Sequence, residues 1–367
     1  MSNKNNFKYT LEQNKQKILL GASIVGVAVI SFGVFTMVNN DKNKVTPEDD
    51  VYVDTTNVRA EYIIGGNDKG ELDLIKVESN EVVKSTKLGA TENVIYSRSN
   101  DLEKVLAYGN GTFYEIVEEN RDLISKELLK LEAEQPIKEF KFSDKYIVGN
   151  TGDKLIVFKL ADKSTYMIDA KEVDSMVVVD ETLVYAETEN IHTYNLVTKE
   201  DKSIEIGDKT EDLFEINGSV VAFNKFGSGN QKSTILKLKS DDLYIEKAHR
   251  HDNEKLSAVT PDSDDKEIPY IDKTEKTVTI NAHYKLDLNG EKDSKNRVTL
   301  EAMSTDNNVE FNSDNTVSTK GYLYSNKSGK IEIFRLAGEV MDSTVDSNKT
   351  FFMPISKEIE TNNKAEK

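Results

Sequence analysis

The 367-residue chain has no cysteine and no tryptophan, only four histidines, and only five prolines. Without cysteine there are no disulfides, no thiolate metal sites and no lipid-modified cysteine. Small secreted domains of eukaryotes lean on disulfides, so a cysteine-free chain destined for the outside of a cell fits a Gram-positive bacterium better. The abundance of Lys, Asp, Glu, Asn and Ile suggests an AT-rich bacterial genome. Catalytic signatures are missing as well: there is no G-x-S-x-G, no phosphate-binding P-loop and no H-E-x-x-H. No catalytic, cofactor-binding or metal-binding residue is assigned from the sequence, and the chain reads as a non-enzyme.

Basic charge is also scarce. The net charge is −17, and it is unevenly spread. Residues 1–44 carry six lysines against Glu12 and Asp41, which leaves −21 on the remaining 323 residues. A body that acidic repels phosphate backbones, so nucleic acid is excluded as a partner of the main domain. It favours solubility and cationic partners.

One long apolar run stands out. Ile18 to Val38 is 21 residues without a charge, and Ser23, Ser31 and Thr36 are its only polar side chains. At about 1.5 Å per residue such a helix spans the roughly 30 Å hydrocarbon core of a bilayer, with every backbone polar group satisfied internally. Gly21, Gly26 and Gly33 suit a membrane helix better than a soluble one. The run is longer than a signal-peptide core and ends in Thr36-Met37-Val38-Asn39-Asn40, with no A-x-A-like cleavage site. An uncleaved anchor in the cytoplasmic membrane is expected. Lys4, Lys8, Lys15 and Lys17 precede the span and Glu48, Asp49 and Asp50 follow it, so residues 1–17 would form a cytoplasmic tail and the rest would lie outside.

Residues 39–50 are polar and aperiodic, and read as a linker. From Val51 the texture changes to short β-branched and aromatic runs separated by turn residues, the pattern of many short strands. An apolar run with Tyr or Phe recurs at Tyr62–Gly65, Leu106–Gly109, Tyr146–Gly149, Leu183–Ala186, Val220–Phe223 and Tyr322–Tyr324, with a degenerate copy at Ile268-Pro269-Tyr270. Each is followed by an alternating strand, beginning at Leu72, Phe113, Leu155, Ile191, Ile235, Val278 and Ile331, at spacings of 41, 42, 36, 44, 43 and 53 residues. Two units show four short strands each: Ile137–Phe142, Lys145–Gly149, Leu155–Leu160 and Ser164–Ile168, then Ser175–Val179, Leu183–Ala186, Ile191–Val197 and Ser203–Ile206.

Four short strands in about 40 residues resembles a β-propeller blade. The resemblance is one of period and strand pattern over residues 51–355, and it implies an all-β fold, a propeller of seven blades. The Trp-Asp and Gly-His signatures of WD40 repeats are missing, and a tryptophan docking motif is impossible here. The apolar run Thr350–Ile355 is expected to close the ring against the first blade, and residues 356–367 to be a disordered tail. Glu118–Glu134 is rich in helix formers, with Ile124, Leu128 and Leu131 at helical spacing, and could form a short surface helix; the repeat demands a strand at Leu128–Leu131, and a strand is expected there.

Four local features invite chemistry. His249-Arg250-His251-Asp252 would pair two imidazoles if it were a strand, although an exposed polar loop is the plainer reading. Asp262-Ser263-Asp264-Asp265 and Asp287–Asp293 offer carboxylates at alternate positions, yet neither completes a twelve-residue calcium loop, and Asn289-Gly290 suits a two-residue hairpin turn. Phe226–Asn230 is glycine-rich and reads as a hairpin loop.

The function expected is a binding or scaffold subunit of a bacterial cell-envelope complex, such as a secretion, conjugation or wall-assembly machine, with protein partners outside the cytoplasm. An extracytoplasmic sensor or sugar-binding module is the alternative, followed by a propeller hydrolase or lyase.

Overall fold

The computed structural model describes residues 58–355 apart from 91, 133–134, 207–208, 217, 226–232, 240–243, 252–255, 264–269, 273–276, 280–296, 300–312 and 336–339. The anchor Ile18–Val38, the linker 39–50 and the tail 356–367 lie outside the described residues. Within them no helix is long and apolar enough to cross a membrane.

The described residues are all-β, arranged as sheets of four or five strands, here numbered in chain order. Sheet one contains Tyr62–Gly66, Glu71–Lys76 and Glu81–Lys87; sheet two runs from Ile95–Arg98 to Asp122–Lys130, sheet three from Glu139–Phe142 to Thr165–Ile168, and sheet four from Val173–Val179 to Asp201–Glu205. Sheet five runs from Lys209–Ile216 to Tyr244–His251, sheet six from Leu256–Ala258 to Arg297–Thr299, and sheet seven from Thr316–Thr319 to Val340–Asp346. In sheets two to five the strands lie in chain order as antiparallel meanders.

Burial explains why the repeat is visible in the sequence. The second strands Tyr62–Gly66, Val105–Gly109 and Tyr146–Asn150 are buried along their whole length. A strand covered on both faces reads as a continuous apolar run. The outermost strand of sheet one, Glu81–Lys87, is almost wholly exposed, and apart from Val82 and Val83 its residues are polar or charged. Helix formers therefore cost Asp122–Lys130 little: it is a strand, paired along Thr112–Glu119, and cross-strand pairing overrides its local propensity.

The glycine that ends several apolar runs has a steric cause. A Cβ on Gly109 would meet the Ala90 methyl at 2.7 Å, one on Gly149 the Ile137 Cδ1 at 2.9 Å, and one on Gly65 the Lys349 Cγ at 2.9 Å. In each case the crowding residue lies in the linker that leads into that sheet. The linker passes where a side chain would stand.

Neighbouring sheets bury their faces on one another. Ile64, Leu74, Val105 and Ile116 join sheets one and two. Phe113, Phe140 and Phe158 join two and three, the ring of Phe113 standing edge-on to the other two at 5.3 Å. Val157, Met176 and Tyr185 join three and four, and Val184, Ile191, Leu213 and Ala222 join four and five. Ile63, Tyr324, Ile331 and Phe352 join seven and one. Hydrogen bonds cross the same junctions: the Tyr96 hydroxyl donates to the Asn67 carbonyl, Asn150 Nδ2 to the Val173 carbonyl, and the Ala60 amide to the Tyr324 hydroxyl at 2.8 Å.

Phe351–Ile355 pairs antiparallel with Tyr62–Gly66 and is the first strand of sheet one. The end of the described chain thus completes its beginning. The expected closing strand is present, and Pro354, which lacks an N–H, sits on an edge where none is needed.

The outer edges are blunted. Register shifts leave one extra residue on the outermost strand of sheets one, two, five and seven, at Val83, Leu128, Glu246 and Asp342. Such bulges twist an open edge away from edge-to-edge pairing.

Candidate functional site

The first strands of several sheets converge, and their ends bring together the polar groups that the sequence placed far apart. Asn100 follows the first strand of sheet two. Its side-chain amide donates to the Val178 carbonyl of sheet four at 2.9 Å and to Glu215 Oε2 of sheet five at 2.6 Å. Its backbone carbonyl accepts the Ser263 N–H at 2.8 Å. One residue therefore ties together sheets two, four, five and the segment Thr260–Ser263. Sheets two and four are not sequential neighbours, so the contact runs across the centre of the arrangement.

The segment Thr260–Ser263 is itself a strap. Thr260–Pro261 pairs parallel with Val317 and Ser318, adding a fifth strand to sheet seven on the side away from its meander. The Asp262 N–H donates to the Ser318 carbonyl, and its buried carboxylate accepts the Thr319 hydroxyl at 2.7 Å. Ser313 donates its hydroxyl to Asp212, and Thr260 donates to the Ser313 carbonyl.

Arg98 completes the group. Its Nε–H donates to the Phe352 carbonyl at 2.8 Å, and its guanidinium lies 4.6 Å from the ring centre of Phe351 and 5.1 Å from that of Phe352. Burial lowers the guanidinium to about 10, with the Asp314 carboxylate opposing the shift, so Arg98 stays charged at neutral pH. The Asp212 carboxyl is held above the usual carboxylate range, first by burial and further by Asp314 and Glu211. The Ser313 hydrogen bond and Lys141 oppose that shift.

A raised carboxyl disfavours the ionised form in the folded state. Its stabilising contribution is present when it is protonated and is lost as pH rises through the raised value. Asp212→Asn keeps an oxygen for Ser313 and removes the charge. The variant is expected to melt higher than the parent at pH 7, with the gap narrowing as pH falls through the acid range. Calorimetry across pH checks this, and a lower melting temperature at pH 7 would contradict it.

Of the residues singled out in the sequence, Asp262 and Ser263 belong to this group, where Asp262 bonds Ser318 and Thr319 and Ser263 bonds Asn100; the others fall elsewhere. His249 and His251 occupy alternate positions of a strand, opposite Ile235 and Ser233; the loop reading of that segment is corrected, because the pairing with Ser233–Lys239 extends to residue 251. Asp252, Asp264, Asp265 and Asp287–Asp293 lie outside the described residues, as does Phe226–Asn230, although the strands on either side of the latter do form a hairpin. Among the described residues no group of three His, Asp or Glu side chains is placed to hold a metal ion. Arg98, Asn100, Asp212 and Glu215 went unnoticed in the sequence. Arg98 ends its strand, Asp212 and Glu215 lie within theirs and Asn100 just past one, and nothing in the local sequence sets them apart.

No family model matches the chain, and no curated protein matches it. Solved structures do. Hsv2 of Kluyveromyces lactis is similar over 76% of this chain and 90% of its own, at 12% identity and a TM-score of 0.50. Apo AztD from Citrobacter koseri is similar over 82% of this chain and 97% of its own, at 10% identity and 0.50. A functionally unknown protein from Desulfotomaculum acetoxidans is similar over 82% of this chain and 100% of its own, at 11% identity and 0.55. The fold is of the β-propeller kind. At these identities the likeness carries fold and nothing of function.

Proposed function

We propose that this chain is a membrane-tethered, seven-bladed β-propeller that acts as a non-catalytic binding scaffold on the outer side of a bacterial cytoplasmic membrane, within a cell-envelope complex. The observation that carries the proposal is the commitment of the central polar groups to one another. Asn100 spends its amide and carbonyl on three other segments, Ser313 bonds Asp212, and Thr319 bonds Asp262. Groups spent in this way hold sheets together and make a rigid body. A rigid body presents its outer surface to partners at little entropic cost on binding. The uncharged run Ile18–Val38 supplies the tether, and the acidic body favours partners with basic surfaces.

Affinity purification of the tagged full-length chain from crosslinked membranes tests this reading. One or more envelope proteins are expected in fixed stoichiometry, and a soluble chain of residues 45–367 should bind them when purified. Recovery of the chain alone, together with a melting temperature raised by one sugar or divalent ion in a ligand panel, would replace the scaffold with a small-ligand sensor.

A further inference from the structure

The outermost strand of a sheet presents a row of unpaired backbone N–H and C=O groups, a template for a further strand. Of the seven outermost strands described, six are protected against this. Sheets one, two, five and seven carry the bulges given above. Sheet four ends in Asp201–Glu205, where Asp201, Lys202 and Glu205 are charged, and sheet six in a strand of three residues that begins with Arg297. The exception is Thr165–Ile168 of sheet three, which has no bulge, no charge and no proline. Met167 on this strand is 57% exposed. Its outward amides and carbonyls have no protein partner among the described residues.

The strand is also fixed in place. It pairs with Leu155–Phe158 in unbroken register, and Ile168 is buried. The Tyr166 hydroxyl donates to the Leu196 carbonyl at 3.0 Å, and Lys199 Nζ covers the Tyr166 ring at 4.5 Å from its centre. An edge already held in extended form loses little conformational freedom when another strand joins it.

Charge around this edge departs from the acidic character of the body. The nearby carboxylates are engaged within the protein: Asp162 by Ser164 and Lys159, Asp169 by Lys154 at 4.0 Å, while Glu172 lies within electrostatic reach of Lys209. Lys163 and Lys171 stand on either side of the strand. Both are exposed, and neither ammonium group has a partner among the described residues. Two uncommitted lysines therefore bracket an uncharged edge.

We infer that Thr165–Ile168 is a docking edge for an extended segment of a partner protein, apolar along its middle and acidic at its ends, which adds a fifth strand to sheet three. Backbone hydrogen bonds hold the segment, Met167 packs on its apolar side chains, and Lys163 and Lys171 meet its carboxylates. With four residues on the edge the ladder is short, so the contact is weak and reversible. The inference rests on the scaffold reading and names the place where one partner sits.

The test uses the full-length chain in detergent and, as probe, a short peptide of alternating valine and threonine with two glutamates at each end. Amide exchange in Thr165–Ile168 is expected to slow at least threefold when the probe is added, while Glu81–Lys87 on the bulged edge of sheet one is unaffected. The same peptide N-methylated throughout its valine–threonine core lacks the backbone donors and should have no effect. Met167→Glu places a charge on the edge and should abolish the slowing without changing the melting temperature. Lys163→Glu combined with Lys171→Glu should weaken the probe's binding about tenfold, a loss of about 1.4 kcal/mol. No slowing with the probe, equal slowing at both edges, or slowing by the N-methylated peptide would overturn the docking edge. Slowing that grows with protein concentration when no peptide is present would overturn it too, by assigning the edge to a second copy of the chain. None of these results requires an envelope partner, so failure here is distinct from failure of the scaffold reading, which the purification from crosslinked membranes decides.

Discussion

Deleting residues 350–367 is expected to abolish cooperative folding or to drop the melting temperature steeply, with aggregation of the product. Phe352 and Met353 are 0% and 1% exposed, and each such side chain is worth about 1.5–3 kcal/mol when fully buried. The loss does not stop there. Phe352 packs among Ile63, Tyr324 and Ile331, and Met353 among Ile64, Leu74 and Val105, so two interfaces open together. Tyr62–Gly66 would also lose one of its two ladder partners, and Arg98 its carbonyl acceptor. Against a typical total of about 5–15 kcal/mol, these losses are enough to unfold a domain. Deleting only residues 357–367 is expected to change stability by less than about 1 kcal/mol, since that stretch has no apolar pattern. Thermal melts of the two truncations check both statements. An unchanged melting temperature after the longer deletion would show that Phe351–Ile355 is not part of the core.

How much of this was readable beforehand follows from where each residue lies. The second strands were legible because two-sided burial writes an unbroken apolar run: Tyr146-Ile147-Val148-Gly149 admits little else. The closing strand was legible for the same reason, as an isolated apolar run after the last repeat. Its pairing partner was guessable only because a ring needs its first sheet completed. Outer strands were the hard part. Asp122–Lys130 is half-exposed, its local preferences point to helix, and only the pairing along Thr112–Glu119 fixes it as strand. His249 to His251 was misread for the same reason, since polar residues on an outermost strand carry no periodic signal. The central group was the least legible. Asn100, Glu215, Ser263 and Asp212 meet through tertiary geometry alone, and single polar residues at strand ends look like ordinary turn residues.

Ring closure is tested most directly by a bond across it. Ile64 and Met353 stand opposite one another in the antiparallel register, and both are buried. The Cβ atoms of directly opposed residues lie about 4.5–5.5 Å apart, close enough for a disulfide after a small adjustment. Because the natural chain has no cysteine, a pair introduced by Ile64→Cys and Met353→Cys has no competitor. The two positions are separated by about 290 residues, and the chain-entropy treatment gives a stabilisation of up to about 6 kcal/mol for a loop of that size. Comparing the oxidised and reduced forms of this one variant cancels the cost of the two smaller side chains in the core. The prediction is a monomer that crosslinks internally under mild oxidation, runs faster on a non-reducing gel and melts well above its reduced form. Two thiols that stay free in the folded protein, or that bridge only between molecules, would contradict a ring closed by its own C-terminal strand.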